Sequence, residues 1–278
     1  MDTLHALLIA VIQGATELFP VSSLGHAVLV PSVFRWSVNQ ASPDFLPFLV
    51  MLHVGTALAL LGFFWRDWRA IVLGVLGLSG TPHQVGESRR VFMLIVVATI
   101  PAVIVGGTLE HLLRSLFASP LYVAGFLTLN GLMLLFGERI RSMGHRPLSS
   151  LKVVDAVVIG CWQCTALLPG MSRSGATIVG GLLRGIDHEA AAHFSFLIAT
   201  PIIIAATVLE VPKLLHQSVA PGVFQLASLA AVVAGLTALA SIWFLMRYFK
   251  RNDDWALTPF GWYCIAAGVG SVIFLVMV

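Results

Sequence analysis

Long apolar runs, separated by short polar stretches, dominate the chain. Runs of spanning length lie at about 47–64, 91–109, 121–137, 193–210, 223–246 and 259–278. A helix needs about 20 such residues to cross a bilayer core of about 30 Å, so the pattern predicts about six full transmembrane spans. The stretch at 70–79 is apolar but too short to cross, and Gly74, Gly77 and Gly80 punctuate it. It is expected as an interfacial helix or a short excursion. Two further regions, about 5–35 and 153–184, are interrupted midway by Pro, Gly and Ser clusters, and neither reads as one straight helix.

Composition strengthens this picture. Of 278 residues, 58% are hydrophobic and only 10% charged, whereas a soluble domain carries about a quarter of its residues charged. The expected fold is therefore an all-α polytopic membrane protein with a single membrane domain, residues 1–278. The apolar stretch from Leu4 to Ile12 has the length of a secretory signal, but Asp2 precedes it in place of a basic residue and polar residues follow in place of a cleavage site. It is therefore kept in the mature chain. Cys161, Cys164 and Cys264 are expected as buried small hydrophobes, because the single CxxC has no second pair to complete a zinc site. The formal net charge of +3 is explained by loops between spans, so no nucleic acid partner is expected.

Orientation follows from the basic residues. Placing the loops at 65–90, 138–152, 184–192 and 247–258 in the cytoplasm collects twelve of the sixteen Lys and Arg residues, leaving only Arg35, Arg114 and Lys213 opposite. This arrangement requires each broken region to return to the side from which it came, as a re-entrant helical hairpin. An internal repeat agrees. A shift of 149 positions superimposes Thr16, Leu18, Pro20, Ser23, Ala27 and Val30 on Thr165, Leu167, Pro169, Ser172, Ala176 and Val179, six identities in fifteen positions. Residues 1–149 and 150–278 are thus expected as two halves of an inverted-topology repeat, with the functional site near the pseudo-twofold axis.

Both breaks carry polar residues at membrane depth, where ionisable groups are costly and mark function. The first reads QGATELFPVSSLGH, Gln13 to His26. Gln13 and Glu17, four apart on a helix, form an oxygen pair suited to a hard divalent cation, Mg²⁺ or Ca²⁺. Pro20 and Gly25 break the helix and present Ser22, Ser23 and His26. The second reads TALLPGMSRSGATI, Thr165 to Ile178. Arg173 is the one basic residue placed inside the membrane region, and it needs an anion, either Glu17 or a ligand phosphate gripped by its planar fork. Ser172, Ser174, Gly175 and Thr177 around it suit a phosphate cradle at a helix start. His53, two turns into a span flanking the site, is a further candidate. Glu110 and Glu210, near outer span ends, are expected to be interfacial, and Asp155 to be solvated by the loop that holds Lys152.

These two strings resemble the paired signatures of the bacterial undecaprenyl pyrophosphate phosphatase family, associated with bacitracin resistance. The residues that carry the likeness are Gln13 and Glu17, PVSSLGH from Pro20 to His26, and PGMSRSG from Pro169 to Gly175. The resemblance implies a hydrolase of the inner membrane that removes one phosphate from undecaprenyl pyrophosphate, regenerating the lipid carrier of peptidoglycan synthesis. It also implies a divalent cation and a cavity open to the extracytoplasmic side. Carried over by position, Glu17 with Gln13 would bind metal or diphosphate, Ser23 and His26 would form the reacting centre, and Arg173 would clamp phosphate. Ser22, Ser172, Ser174 and Thr177 would add hydrogen bonds. Gln13 stands at a position that is either glutamate or glutamine in that family and Leu24 where a small Ser or Thr is common, so the resemblance implies one less negative charge for the cation than glutamate would give and a tighter or drier turn.

The chemistry is also arguable from the residues alone. Phosphoryl transfer needs alignment and neutralisation of negative charge. The nucleophile is then Ser23 activated by His26, His26 itself, or a water for which His26 is the base. A bilayer-embedded site suits a head group whose long apolar tail stays in lipid. A second class remains open, since inverted repeats with broken helices also build secondary transporters, here for an anionic phospholipid or as a flippase. Another lipid phosphatase signature, SRxxxxxHxxxD, is set aside because no histidine follows Arg173 at the needed spacing and no KxxxxxxRP run exists. Oligomeric state and prenyl chain length are not legible.

Overall fold

The structure, a computed structural model, describes residues 2–38, 42, 45–117, 119–141, 146–215, 222–252 and 254–277. The side chains at 46, 47, 110–117, 206, 209–215 and 223 are not among those described, so the expectations for Glu110, Glu210, Arg114 and Lys213 fall outside them. Among the described residues all regular structure is helical, without strands: α1 (Thr3–Thr16), α2 (Ser23–Val33), α3 (Phe45–Phe63), α4 (Trp65–Val75), α5 (Pro82–Phe117) and α6 (Pro120–Ile140), a 3₁₀ turn at Leu148–Ser150, then α7 (Val153–Thr165), α8 (Arg173–Leu183), α9 (His188–Leu215), α10 (Val223–Arg251) and α11 (Thr258–Met277).

The six predicted spans fall on α3, α5, α6, α9, α10 and α11. Among the described residues five helices qualify by length and composition as crossing helices, and a sixth if α3 and α4, bent by 75° at Phe64, form one span. Large apolar side chains on these helices face outward, among them Leu132, Phe136, Trp243, Trp262 and Val276, while Gln13, Asn130, Gln163 and Thr177 are buried. That inversion of the soluble rule indicates a multi-pass membrane protein. Lipid gives helices no hydrophobic drive to associate, so close backbone approach matters more. Gly55 of α3 lets α10 come so near that an added β-carbon would lie 2.0 Å from the Ala231 carbonyl oxygen. Gly14 of α1 does the same against Ala234 of α10.

The two interrupted regions each fold as a pair of short helices, α1 and α2 before α3, and α7 and α8 before α9. Each of α1, α2, α7 and α8 is too short to cross a bilayer alone. The second break is one residue longer than the first. The residues that cap the outgoing helices, Ser22 and Ser172, therefore stand 150 positions apart, where the ungapped sequence shift is 149.

Three expectations need correction. The interfacial element is α4, starting at Trp65 and ending at Val75 instead of running over 70–79. It turns back through Gly77 (φ +69°) and Gly80 (φ +103°), a conformation open to glycine. The span expected at 91 begins at Pro82, because its polar first turns are fixed by Arg90, which donates to the Ser149 and Leu151 carbonyls. Only Cys264 of the three cysteines is buried, Cys164 being partly covered and Cys161 exposed on its helix.

Asp155 is not solvated. It is fully buried at the loop-side start of α7, outside the spanning helices, and accepts from Arg146 Nη2 at 2.8 Å, Arg184 Nε at 2.7 Å and the Lys152 N–H at 2.9 Å. Burial pushes its pKa up, but hydrogen bonds from Arg146, Lys152 and Arg184 and the Arg146 charge outweigh it and bring the carboxyl down to about 2. A lowered folded-state pKa contributes stability above the unfolded value near 4, lost as pH falls towards 2. The shift corresponds to roughly 2 kcal/mol. Asp155→Asn is therefore expected to lower the melting temperature of detergent-purified protein by several degrees at pH 7, and to flatten the stability loss between pH 4 and 2; thermal scans across that range measure both.

Candidate functional site

The first break opens where α1 ends at Thr16. Glu17 keeps helical dihedrals, with its N–H bonded to the Gln13 carbonyl at 2.9 Å. One turn apart on the same face, Gln13 Nε2 donates to Glu17 Oε2 at 2.8 Å. Pro20 stops the helix, and Ser22 then takes φ +68°, a strained conformation for a residue with a β-carbon. Its hydroxyl accepts from the Gly25 N–H at 3.2 Å and starts α2. Strain and cap together turn Ser23 back onto Glu17, and Ser23 Oγ donates to Glu17 Oε2 at 2.5 Å.

The second break is built alike. Gly170, at φ +103°, packs so tightly on α6 that a β-carbon there would meet the Val123 carbonyl oxygen at 2.4 Å. Ser172 caps α8 by accepting from the Gly175 N–H at 3.1 Å. Arg173 then projects across to the first break, with Nη2 3.4 Å from Glu17 Oε1 and Nη1 3.4 Å from the Ser195 carbonyl oxygen. His53 of α3 comes from a third side, its Nε2 3.6 Å from Glu17 Oε2 and its Nδ1 bonded to the Leu49 carbonyl. Glu17 is thus the point where side chains from four separate elements converge, Gln13, Ser23 and Arg173 donating to it and His53 lying beside it.

Glu17, Ser23, His53 and Arg173 line a cavity of about 320 Å³, while Gln13 is buried behind its wall. Glu17, Ser22, Ser23, His53, Ser172 and Arg173 supply its polar wall, and Leu24, Leu49, Val50, Met171, Ile202 and Ile203 supply most of the apolar one. A polar end facing an apolar corridor suits a charged head on a hydrocarbon chain.

Several candidate residues lie elsewhere. Ser174 Oγ donates to the Phe19 carbonyl at 3.1 Å, tying the second break to the first. Thr177 bonds the Arg173 carbonyl at 2.8 Å and Ser195 Oγ at 2.7 Å, supporting the arginine from behind, and Gly175 is the capped N–H. His26 does not line the cavity and makes no bond to Ser23. Its Nδ1 lies 2.7 Å from the Ser22 carbonyl oxygen, which can only accept, so this nitrogen carries the proton. In the neutral ring Nε2 then accepts from Tyr263 Oη at 2.7 Å, with the two rings stacked 5.7 Å apart.

A divalent cation has limited protein ligands here. Gln13 Oε1 is buried without a hydrogen-bond partner next to the Glu17 carboxylate, an orphan acceptor of the kind a hard cation uses. Among the described residues no three His, Cys, Asp or Glu side chains converge on a metal position. The donor set therefore fits a cation that brings most of its oxygens with it, as one carried on a diphosphate does.

Sequence reading missed Asn130, Ser195 and Tyr263. Asn130 offered a signal, since it is the only amide in the 121–137 run. Ser195 and Tyr263 offered none, being ordinary residues in spans whose rotation is set by tertiary packing.

The family model described as Bacitracin resistance protein BacA matches residues 6–270. The chain is 61% identical to the undecaprenyl-diphosphatase of Granulibacter bethesdensis, with 99% of this chain and 97% of that protein covered. It is 55% identical to the protein of the same name from Gluconacetobacter diazotrophicus, covering 99% and 98%. It is 54% identical to that of Gluconobacter oxydans, covering 99% and 100%.

Proposed function

This chain belongs to the bacitracin resistance protein BacA family, and from that membership we propose that it is an undecaprenyl-diphosphatase, hydrolysing undecaprenyl diphosphate to the monophosphate and inorganic phosphate. It is a membrane hydrolase, and its product is the carrier lipid reused in cell-wall synthesis, which underlies bacitracin resistance. The observation that carries the reading is the convergence of Ser23 and Arg173 on Glu17 in one cavity among apolar helices, at 2.5 and 3.4 Å.

Each residue has a chemical task. Arg173 and the N-terminal end of α8 receive the diphosphate and stabilise the charge that grows on its oxygens. Glu17 accepts the Ser23 proton as Ser23 Oγ forms a bond to the terminal phosphorus. The bond from that phosphorus to the bridging oxygen breaks, and the lipid monophosphate leaves with the electron pair. Glu17 passes the Ser23 proton to the departing monophosphate and, a carboxylate again, takes a proton from the water that attacks the phosphoserine; as the bond between that phosphorus and Ser23 Oγ breaks, the proton returns to Ser23 and inorganic phosphate departs. Glu17 is a better base for Ser23 than His26, whose Nε2 is engaged by Tyr263. His26 serves instead to hold the Ser22 carbonyl, and with it the turn that presents Ser23. His53 adds a further contact to the Glu17 carboxylate or to phosphate. A cation arriving with the substrate would be held by Glu17 and Gln13, and it would neutralise phosphate charge.

The direction of opening follows from the basic loops. The cavity lies against the first half of α3 and the second half of α9, whereas α3 runs on into the loop with Arg66 and Arg69. With that loop cytoplasmic, the cavity opens to the extracytoplasmic side of the bacterial inner membrane. The two helix-break-helix units then enter from opposite faces as halves of an inverted repeat, 1–149 and 150–278.

Purified protein in detergent should release phosphate from undecaprenyl diphosphate. Arg173→Ala should lower kcat by about 10²–10³-fold, and Arg173→Lys should recover only part of it because an ammonium lacks the bidentate fork. No phosphate release by the wild type, together with lipid movement across vesicles, would instead establish the transporter class. Chelation with EDTA should stop turnover and Mg²⁺ or Ca²⁺ should restore it; full activity in chelator would remove the cation from the reading. Rapid acid quench with labelled substrate should trap an acid-stable phosphoserine at Ser23, lost in Ser23→Ala. An acid-labile phosphohistidine at His26 would reassign the nucleophile.

A further inference from the structure

Asn130 lies midway along α6 and is fully buried. Its Nδ2 donates to the Pro20 carbonyl oxygen at 2.9 Å, and its Oδ1 accepts from the Ser172 N–H, also at 2.9 Å. Cys264 of α11 adds weaker sulfur contacts to the same amide at 3.4 Å and the same carbonyl at 3.9 Å. Both strong bonds are to main-chain groups of the two breaks, which lost helical partners when the helices stopped. In an apolar interior such groups must be paired, so one side chain meets an obligation of each break.

The geometry at the cavity gives this pairing a further consequence. Pro20 is three residues from both Glu17 and Ser23, and Ser172 is adjacent to Arg173. Asn130 therefore joins the break that carries nucleophile and carboxylate to the break that carries the guanidinium. A leucine of similar size offers neither bond, aspartate has no donor for Pro20, and glutamine places its amide one methylene further out. The Ser174 bond to the Phe19 carbonyl also links the breaks. Loss of Asn130 would then relax their spacing without separating them.

We propose that Asn130 is a positioning residue for phosphoryl transfer: its amide fixes the distance between the Glu17–Ser23 turn and Arg173, so that both engage a single diphosphate. The inference rests on the phosphatase reading above. Asn130 touches neither substrate nor reacting atoms and acts through the two backbones it joins.

The test is a double-mutant cycle on full-length protein in detergent, with kcat and KM for undecaprenyl diphosphate expressed per folded molecule. Asn130→Leu is the principal variant, and Asn130→Asp, which keeps the shape and the acceptor for Ser172, serves if Asn130→Leu yields little folded protein. Either should lower kcat by about 10²-fold, the scale of a misplacement of about 1 Å. KM should move by less than about threefold, since the apolar wall that holds the tail is untouched. Adding Arg173→Ala to the variant should reduce kcat by much less than it does in the wild-type background, because the guanidinium is already out of place.

A packing residue would instead reduce the folded fraction, leaving kcat per folded molecule within about twofold of wild type and the two losses multiplicative. That result overturns the proposal while leaving the phosphatase site intact. If Arg173→Ala alone has full activity, the site reading itself fails, and the role of Asn130 fails with it.

Discussion

A helix that stops inside a bilayer leaves its last carbonyls and first amides without partners, and lipid offers none. The structure around the cavity is organised by this requirement. Ser22 and Ser172 cap the outgoing helices through the Gly25 and Gly175 amides. The freed carbonyls of Phe19 and Pro20 take Ser174 and Asn130, and the Ser172 amide takes Asn130. Ser174 and Asn130 come from the other break and from α6, so satisfying these groups also brings Glu17, Ser23 and Arg173 together. Leaving one such group unpaired costs about 1–3 kcal/mol, which makes the assembled arrangement far more favourable than two separate interrupted helices.

The same requirement explains what was legible in the sequence. Spans declare themselves because a lipid-facing helix must be apolar along its whole length, and all six runs became helices. The breaks were legible too, since Pro, Gly and Ser cluster there in the middle of otherwise apolar stretches. That Arg173 would need an anion, Glu17 or a ligand phosphate, followed from the cost of isolating it in lipid, and the structure pairs it with Glu17. Rotations and partners were not legible. His26 and Ser23 are three apart and were expected to cooperate, but on α2 the imidazole faces Tyr263 while the hydroxyl faces Glu17. Asp155 looked solvated because two of its partners, Arg146 and Arg184, lie 9 and 29 residues away along the chain. Long-range pairing of this kind has no local sequence signal.

The strained backbone at Ser22 follows from the same geometry. A glycine would adopt φ +68° without cost, yet it would lose the hydroxyl that caps α2, and lipid would leave the Gly25 amide unpaired. A residue that accepts strain of about 1–3 kcal/mol and returns a hydrogen bond of similar value resolves the conflict, and the neighbouring Ser23 is turned toward Glu17 as a result. At Gly170 the balance falls the other way. No side chain is needed there, α6 leaves no room for one, and glycine takes the left-handed turn.

Charge balance at the cavity gives the single carboxylate its meaning. Glu17 and Arg173 together are neutral, and Gln13 adds an amide where a second carboxylate would make the site anionic. A diphosphate head carries more than one negative charge, so it is repelled less here than by a pair of carboxylates, and Arg173 remains available because its contact with Glu17 is long, 3.4 Å. On the proposed reading the incoming phosphate competes with Glu17 for the guanidinium. As it wins, the Glu17 carboxylate is left to Ser23 at the moment Ser23 must give up its proton. Substrate binding and release of the carboxylate to the nucleophile are thereby the same event, at the one carboxylate that lines the cavity among the described residues.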